Sequence, residues 1–164
     1  MKRNFIIIVC VLAFIPCLTQ CKGRSDTLLE EPSASATFAA FAQHFSSSTA
    51  FATATVGGRE VLLTAQEVFG EGEDLEAVEA TVFALDSAGR IVSLGSVRSQ
   101  GSNYPVSLLD GRLMVAGHQF VYVYDLRGEM PELVLDKCFQ GDGPEMDAAF
   151  DTFELAKPII FKRL

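Results

Sequence analysis

The 164-residue sequence contains few of the residues that build metal sites and disulfide frameworks. It has only two histidines, His44 and His118, and four cysteines, two of which lie in the first 20 residues. Neither histidine has a second ligand at the spacing that zinc sites use, so an imidazole-bound metal is not expected. With only Cys21 and Cys138 remaining, we expect no internal disulfide framework, and nothing in the sequence indicates a cofactor.

Short catalytic and phosphate-binding motifs are also missing from the sequence. No glycine-rich loop ends in Lys-Ser or Lys-Thr, and residues 95–101 do not place a serine between glycines as a hydrolase elbow requires. The acidic stretch Asp142, Glu145, Asp147 and Asp151 lacks the order of ligands found in calcium-binding EF-hands. A second acidic stretch, residues 71–76, is typical of a solvated hairpin. These absences favour a protein that is not an enzyme.

No block of five like charges occurs, yet the charge is strongly asymmetric. All 21 acidic residues follow position 20, whereas 11 of the 13 basic residues do, so the chain after residue 20 has a net charge of −10. Such an acidic surface repels phosphate backbones, and nucleic acid is therefore not an expected partner. A hydrophobic content of 49% with 21% charged residues predicts that this part of the chain folds.

The N-terminus has the layout of a secretory signal. A short basic start, Met1–Asn4, precedes an unbroken apolar run of 11 residues, Phe5–Ile15. A membrane-spanning helix needs about 20 apolar residues, so this run favours a cleaved signal over a retained transmembrane anchor.

The end of this segment, Leu18-Thr19-Gln20-Cys21, resembles the lipobox of bacterial lipoproteins. In that family an aliphatic residue lies three positions before a cysteine that is acylated and becomes the first mature residue. Leu18 and Thr19 match this pattern, whereas Gln20 replaces the usual Gly, Ala or Ser. The resemblance covers residues 1–21 and implies a signal peptide over residues 1–20 and lipidation of Cys21 by acyl chains such as palmitate. Two or three such chains give lasting membrane attachment, since each buried methylene contributes about 0.8 kcal/mol.

The chain after Cys21 divides into a tether and one domain. Residues 21–35 are polar and lack apolar periodicity, which predicts a flexible lipidated tether. A single β-rich domain is expected over residues 36–164. It begins with a short amphipathic helix over residues 36–46, where Phe38, Phe41 and Phe45 recur at helical spacing and are expected to enter the core.

From residue 50 onward the pattern favours antiparallel hairpins. Paired segments of strand-like composition flank turn sequences such as Gly57-Gly58 and Asp110-Gly111. The predicted strand pairs are 50–56 with 59–69, 77–85 with 90–96, 106–109 with 112–116, and 120–126 with 132–139. Residues 146–155 predict a short helix, and residues 157–162 a closing strand.

An internal repeat runs through these hairpins. Val82–Asp86 recurs as Val121–Asp125 at an offset of 39, and Gly89 and Gly128 follow at the same offset. This spacing of matched strands and turns resembles that of β-propeller blades, which recur at about 40 residues. A propeller needs four or more blades, so a chain of this length predicts a mainly β fold, a β-sandwich or a small open stack of sheets.

Two finer predictions follow from the repeat. Asp86 and Asp125 should occupy equivalent turn positions, each side chain accepting hydrogen bonds from backbone amides near the following glycine. Because both faces of the repeated strands are apolar, each strand should be buried on two sides or lie in an interface.

The best candidate for a ligand-binding loop is polar and lies between two predicted hairpins. Its candidate binding residues are Ser99, Gln100, Ser102, Asn103 and Tyr104, and Pro105 forces Tyr104 into an extended conformation. The alternative is an ordinary crossover between hairpins. Cys138 is expected to be a small core residue beside Phe139, with a reactive thiol or an intermolecular disulfide as the alternative.

These patterns favour an exported lipoprotein, anchored by lipid to a bacterial membrane in the cell envelope, with a non-enzymatic domain that binds another protein or a surface glycan. One alternative is an accessory subunit or assembly factor of an envelope complex, whose two-sided apolar strands complete another sheet. The other is an enzyme of a class that the sequence does not reveal.

Overall fold

The computed structural model describes residues 34–163. The predicted signal peptide, the lipidated Cys21 and most of the predicted tether lie outside the described residues. Pro32–Leu164 form one compact unit. Its elements are α1 (Ala34–Ala42), β1 (Ala50–Val56), β2 (Arg59–Ala65), β3 (Phe69–Glu71), β4 (Asp74–Glu76), β5 (Glu79–Leu85), β6 (Ile91–Arg98), β7 (Ser107–Leu109), β8 (Arg112–Gly117), β9 (Phe120–Arg127), β10 (Glu132–Gln140), α2 (Pro144–Glu154), β11 (Lys157–Pro158) and β12 (Lys162–Arg163).

The strands form two five-stranded antiparallel sheets and one short hairpin. The first sheet has the order β12-β1-β2-β5-β6, the second has the order β11-β7-β8-β9-β10, and β3 pairs only with β4. Buried residues of both sheets belong to one hydrophobic cluster, so the sheets pack face to face. The predicted mainly β, antiparallel sandwich is confirmed.

The internal repeat corresponds to two meanders of the same topology. In each sheet a short C-terminal strand pairs with the first of four consecutive meander strands. The segments matched at an offset of 39 lie in β5 and β9, the third meander strands of the two sheets. Residues 66–78, which include the β3–β4 hairpin, are inserted before β5 and have only a two-residue counterpart before β9.

The central strands β5 and β8 are covered on both faces. In β5, Val82 faces the cluster between the sheets, whereas Phe83 packs with the residues around α1. In β8, Val115 faces the other sheet and Met114 packs with α2. Of the two repeated strands, β5 is therefore covered on both sides, between the opposite sheet and a helix of the same chain. In β9, Val121 and Val123 are buried with α2, whereas Tyr122 and Tyr124 on the other face are only half-buried.

The two helices cover the outer faces of the sandwich. Phe38 and Ala42 of α1 are buried with Phe51 and Leu62 of the first sheet, which confirms the prediction that the aromatic stripe enters the core. On the second sheet, α2 starts with Pro144 in its first turn, where the missing N–H of proline costs no hydrogen bond. Its buried residues are Met146, Ala149 and Phe153.

The C-terminal segment joins the two sheets. A single closing strand was expected over residues 157–162, but β11 pairs with β7 in the second sheet and β12 pairs with β1 in the first. Between them, Ile159 and Phe161 are buried in the cluster between the sheets. The crossing places these two apolar side chains in the core, which explains why the segment divides into two short strands.

Only the first of the two repeated aspartates occupies the predicted position. Asp86 lies in the turn after β5, and its Oδ1 accepts hydrogen bonds of 2.9 Å from the backbone N–H groups of Ala88 and Arg90. Asp125 lies within β9 and accepts only from the adjacent N–H of Leu126 at 2.9 Å and from Arg127. The prediction for Asp125 is wrong because β9 continues to Arg127 before its turn, although Gly128 has the expected positive φ of 83°.

Candidate functional site

The predicted ligand loop connects β6 of the first sheet with β7 of the second. Ser99 is buried, its N–H donates to the Val78 carbonyl at 2.8 Å, and its Oγ accepts from the Ala116 N–H at 3.3 Å. These hydrogen bonds tie the start of the loop to both halves of the sandwich. Ser99 is therefore held as a structural residue of the crossover.

The remaining loop residues point to different parts of the surface. Ser102 and Asn103 are exposed. The half-buried Tyr104 ring lies 5.8 Å from His118 and 6.0 Å from Phe150, centroid to centroid, on the side of α2. Gln100 lies against the end of the β8–β9 hairpin, where its Oε1 accepts from the His118 N–H at 3.3 Å. The loop thus does not gather its five predicted residues into one site.

A second surface, which the sequence did not predict, lies at the β9–β10 edge of the second sheet. Three side chains of β9 and three of β10 share the face that turns toward the first sheet, because the strands pair Phe120 with Gln140, Tyr122 with Cys138, and Tyr124 with Leu135. We call this surface the open ledge; its residues are Phe120, Tyr122, Tyr124, Leu135, Cys138 and Gln140.

The open ledge is only partly covered by the opposite sheet: its three aromatic residues are half-buried against the cluster between the sheets, and its three β10 residues are exposed. In a closed sandwich the residues of an inner face are buried, but Leu135 is 45% exposed, and Cys138 and Gln140 are exposed as well. On the opposite edge strand, β6 contains an exposed glycine at a bulge, Gly95, and a Cβ built on it would meet no atom within 4 Å. The inner edge of the sandwich therefore remains accessible.

Aromatic rings and neutral polar groups make up the ledge. The rings of Phe120 and Tyr122 stack with centroids 4.6 Å apart, and Gln140 Nε2 donates to the Tyr122 hydroxyl. Burial is the largest cause that raises the pKa of Tyr124, and the nearby Tyr122 and Cys138 raise it further. Its hydroxyl therefore stays protonated at neutral pH. The ledge contains no charged side chain.

The predicted loop meets the ledge at one residue. A Cβ built on Gly117 would collide with both the Phe120 ring and the Gln100 side chain, so these two side chains converge above this glycine. Gln100 thereby extends the ledge at its Phe120 end. Of the five candidate loop residues, it is the one that the structure brings next to these aromatic rings.

A third feature is a cleft of about 300 Å³ between α2 and the outer face of the second sheet. That volume is at the low end of the range for small-molecule sites. Leu109, Met114, Val121, Val123 and Phe139 form its apolar floor, and small residues of α2 leave the space open. Its lining also includes Asp110, Arg112, Lys137 and Glu145.

Ion pairs fix the charged end of this cleft. Asp136 pairs with Arg112 at 3.4 Å and also with Arg127, which in turn contacts Asp125 at 3.3 Å. The hydrogen bond to Asp125 is the largest cause that raises the pKa of Arg127, and the hydrogen bond to Asp136 is the second. Arg112 is therefore engaged by a carboxylate of the same chain, and the remaining charges of the cleft are of both signs.

Other residues singled out from the sequence fall into simpler roles. His44 and His118 are exposed, and the acidic residues 71–76 belong to the β3–β4 hairpin, as expected for a solvated excursion. Across residues 34–163, no three His, Cys, Asp or Glu side chains come together as a metal site. The prediction that Cys138 is a core residue is wrong: Cys138 is an exposed free cysteine on β10.

Within the same residues, no helix is long and apolar enough to cross a membrane. Comparison of the chain with protein-family models, curated proteins and solved structures finds no match.

Proposed function

We propose that the chain is the precursor of a bacterial surface lipoprotein that is anchored to a membrane through acylated Cys21. The observation that carries this proposal is the continuous pattern of a basic start, an 11-residue apolar run and the lipobox-like Leu18-Thr19-Gln20-Cys21. A folded domain follows the proposed anchor, and its first helix starts at Ala34. Twelve residues lie between Cys21 and Ala34, and the 13 Cα–Cα steps between the two reach at most about 45 Å when extended.

The domain's role in this proposal is binding rather than catalysis. Its ligand is another envelope protein or a surface glycan, and the membrane is its second partner. The open ledge, with Gln100 at its end, supplies half-buried aromatic rings beside exposed hydrogen-bonding groups. Three of the four apolar strand faces that suggested an accessory subunit are covered within the chain by a helix or the opposite sheet, and the fourth, on β9, is the face of the open ledge.

Cell fractionation of a matched pair of variants tests the anchor. In the native bacterium the wild-type chain should sediment with membranes and enter the detergent phase, whereas Cys21→Ser should not be acylated. Cys138→Ser serves as the control, since it removes a thiol without touching the lipobox. Detergent-phase partitioning of the Cys21→Ser chain equal to that of the wild type would contradict the proposal.

A further inference from the structure

The chemistry of the open ledge is unusual for the surface of this acidic protein. Three aromatic side chains lie in one row on β9, where alternate residues of a strand are spaced by about 6.8 Å. Beside them lie the amide of Gln140 and the thiol of Cys138, and the amide of Gln100 lies at the Phe120 end. All of these groups are neutral, although the chain after residue 20 has a net charge of −10.

We propose that the open ledge is a binding site for a neutral carbohydrate. This inference rests on the binding role proposed above and specifies its ligand class. A sugar ring has an apolar face of C–H groups and a rim of hydroxyls. Aromatic rings with a polar tip, such as tyrosine, cover apolar surface while keeping a hydrogen-bonding group in water. Glutamine amides both donate and accept hydrogen bonds, as sugar hydroxyls do.

The arrangement of the row suits a chain of sugars rather than a single ring. Phe120, Tyr122 and Tyr124 together extend over about 13 Å of strand, and the ledge remains open along β10. Gln100 and Gln140 lie at the same end of the row, where both can reach the hydroxyls of one sugar unit. The Tyr122 and Tyr124 hydroxyls offer further donors along its length.

Other occupants fit this surface less well. An anionic polymer would meet no cation on the ledge and an acidic protein around it. An added strand, from a peptide or a second copy, would have to pair with β10, whose ladder is interrupted by a bulge between Leu135 and Lys137. Bulges and charged residues such as Asp136 and Lys137 on an edge strand oppose such pairing.

Tyrosine resonances provide a direct test, because the chain has three tyrosines and no tryptophan. Tyr122 and Tyr124 lie on the ledge, whereas Tyr104 packs against Phe150 and Phe153 near α2. The sample is the chain from residue 21 with Cys21→Ser, which keeps the whole compact unit, labelled with ¹³C-tyrosine. Separate Tyr→Phe variants assign the three signals.

The neutral probes are hexasaccharides of the maltose, cellobiose, chitobiose and mannose series. Oligogalacturonate is the anionic control. At least one neutral probe should shift the Tyr122 and Tyr124 signals in a saturable way, leave Tyr104 unmoved, and slow alkylation of Cys138. Gln140→Ala and Gln100→Ala should each weaken that binding about three- to tenfold through a lost hydrogen bond. Gln43→Ala, an exposed glutamine beyond α1, should not change it.

Loss of the aromatic surface should weaken the binding further. Tyr122→Leu should reduce the affinity more than either glutamine variant, whereas Phe45→Leu, which removes a half-buried ring near α1, should not. The absence of a saturable shift with every neutral probe would overturn the inference. A shift centred on Tyr104, tighter binding of oligogalacturonate, or concentration-dependent shifts without sugar would also overturn it. Failure of acylation at Cys21 would instead contradict the anchor and leave this titration unchanged.

Discussion

Two adjacent glycines show how closely single residues are fitted between the sheets. Gly57 and Gly58 form the β1–β2 turn, with positive φ values of 57° and 77°. The Gly57 N–H donates to the Gly111 carbonyl at 2.9 Å, and a Cβ on Gly57 would collide with the Leu126 carbonyl. A Cβ on Gly58 would meet no atom within 4 Å. The turn therefore requires glycine at both positions for conformation, but at Gly57 also for space.

Alanine substitution should separate these two requirements. Gly58→Ala should destabilise the domain by about 1–2 kcal/mol, the cost of a left-handed conformation for a residue with a Cβ. Gly57→Ala should cost clearly more, because the strands of both sheets must also move apart. Urea unfolding of both variants gives the comparison. Equal free energies of unfolding for the two variants would show that the turn does not approach the second sheet this closely.

The turn after β5 depends on the charge of one carboxylate. Hydrogen bonds from the backbone N–H and then the side chain of Arg90, together with one from the N–H of Ala88, hold the pKa of Asp86 below its ordinary value. A carboxyl group whose pKa is lowered by folding stabilises the native state above its unfolded pKa, and this contribution is lost as the pH falls through the folded pKa.

Asp86→Ala should therefore lower the Tm by a few degrees at pH 7 and by less as the pH falls through the folded pKa of Asp86. Asp142→Ala, at an exposed position before α2, is the control and should change the Tm little at any pH. Thermal melts of the three proteins between pH 7 and pH 2 measure the difference. A loss for Asp86→Ala that is the same at every pH would show that the charge does not matter.

Local sequence patterns correctly predicted the strands and turns whose bounds are determined by local interactions. The bounds of β1, residues 50–56, were predicted without error, since strand-like composition and a Gly-Gly turn specify that hairpin. The predicted strand 59–69 ends instead at Ala65, where the chain leaves the sheet for the inserted β3–β4 hairpin. The end of such a strand depends on partner segments that are distant in sequence or outside the main sheets. The periodicity of the strand's own sequence does not indicate those partners.

The open ledge was missed for a specific reason. Simple alternation along β10 places Leu133, Leu135 and Phe139 on one face and Cys138 on the other. The bulge between Leu135 and Lys137 adds one residue to the strand, so Cys138 and Gln140 share the face of Leu135 while Phe139 turns toward α2. A shift of one residue exchanges the two faces of a strand. The neighbouring Tyr122 and Tyr124 were the only signal of the ledge in the sequence.

The outer cover of the first sheet depends on α1, and a buried side chain of this helix tests that role. Phe38 is 1% exposed and packs with Phe51 and Leu62. Phe38→Ala should destabilise the domain by about 3–5 kcal/mol, whereas Ala40→Ser on the exposed side of α1 should cost well under that amount. Urea denaturation measures both. A cost below 1 kcal/mol for Phe38→Ala would show that α1 does not belong to the folded unit.

For the whole molecule, one core spans both sheets and the C-terminal segment crosses between them. The described part of this domain begins at Ala34. The proposed function places the domain on a membrane, and this depends on one covalent event, the acylation of Cys21.

Metabolic labelling with an alkyne analogue of palmitate, followed by mass spectrometry of the N-terminal peptide, tests this claim most directly. Label is expected in the wild-type chain and in Cys17→Ser and Cys138→Ser, on a peptide that begins at Cys21. No label is expected in Cys21→Ser, whose unprocessed form should retain residues 1–20. Label that persists in Cys21→Ser, or an unlabelled wild-type chain cleaved elsewhere, would contradict this claim.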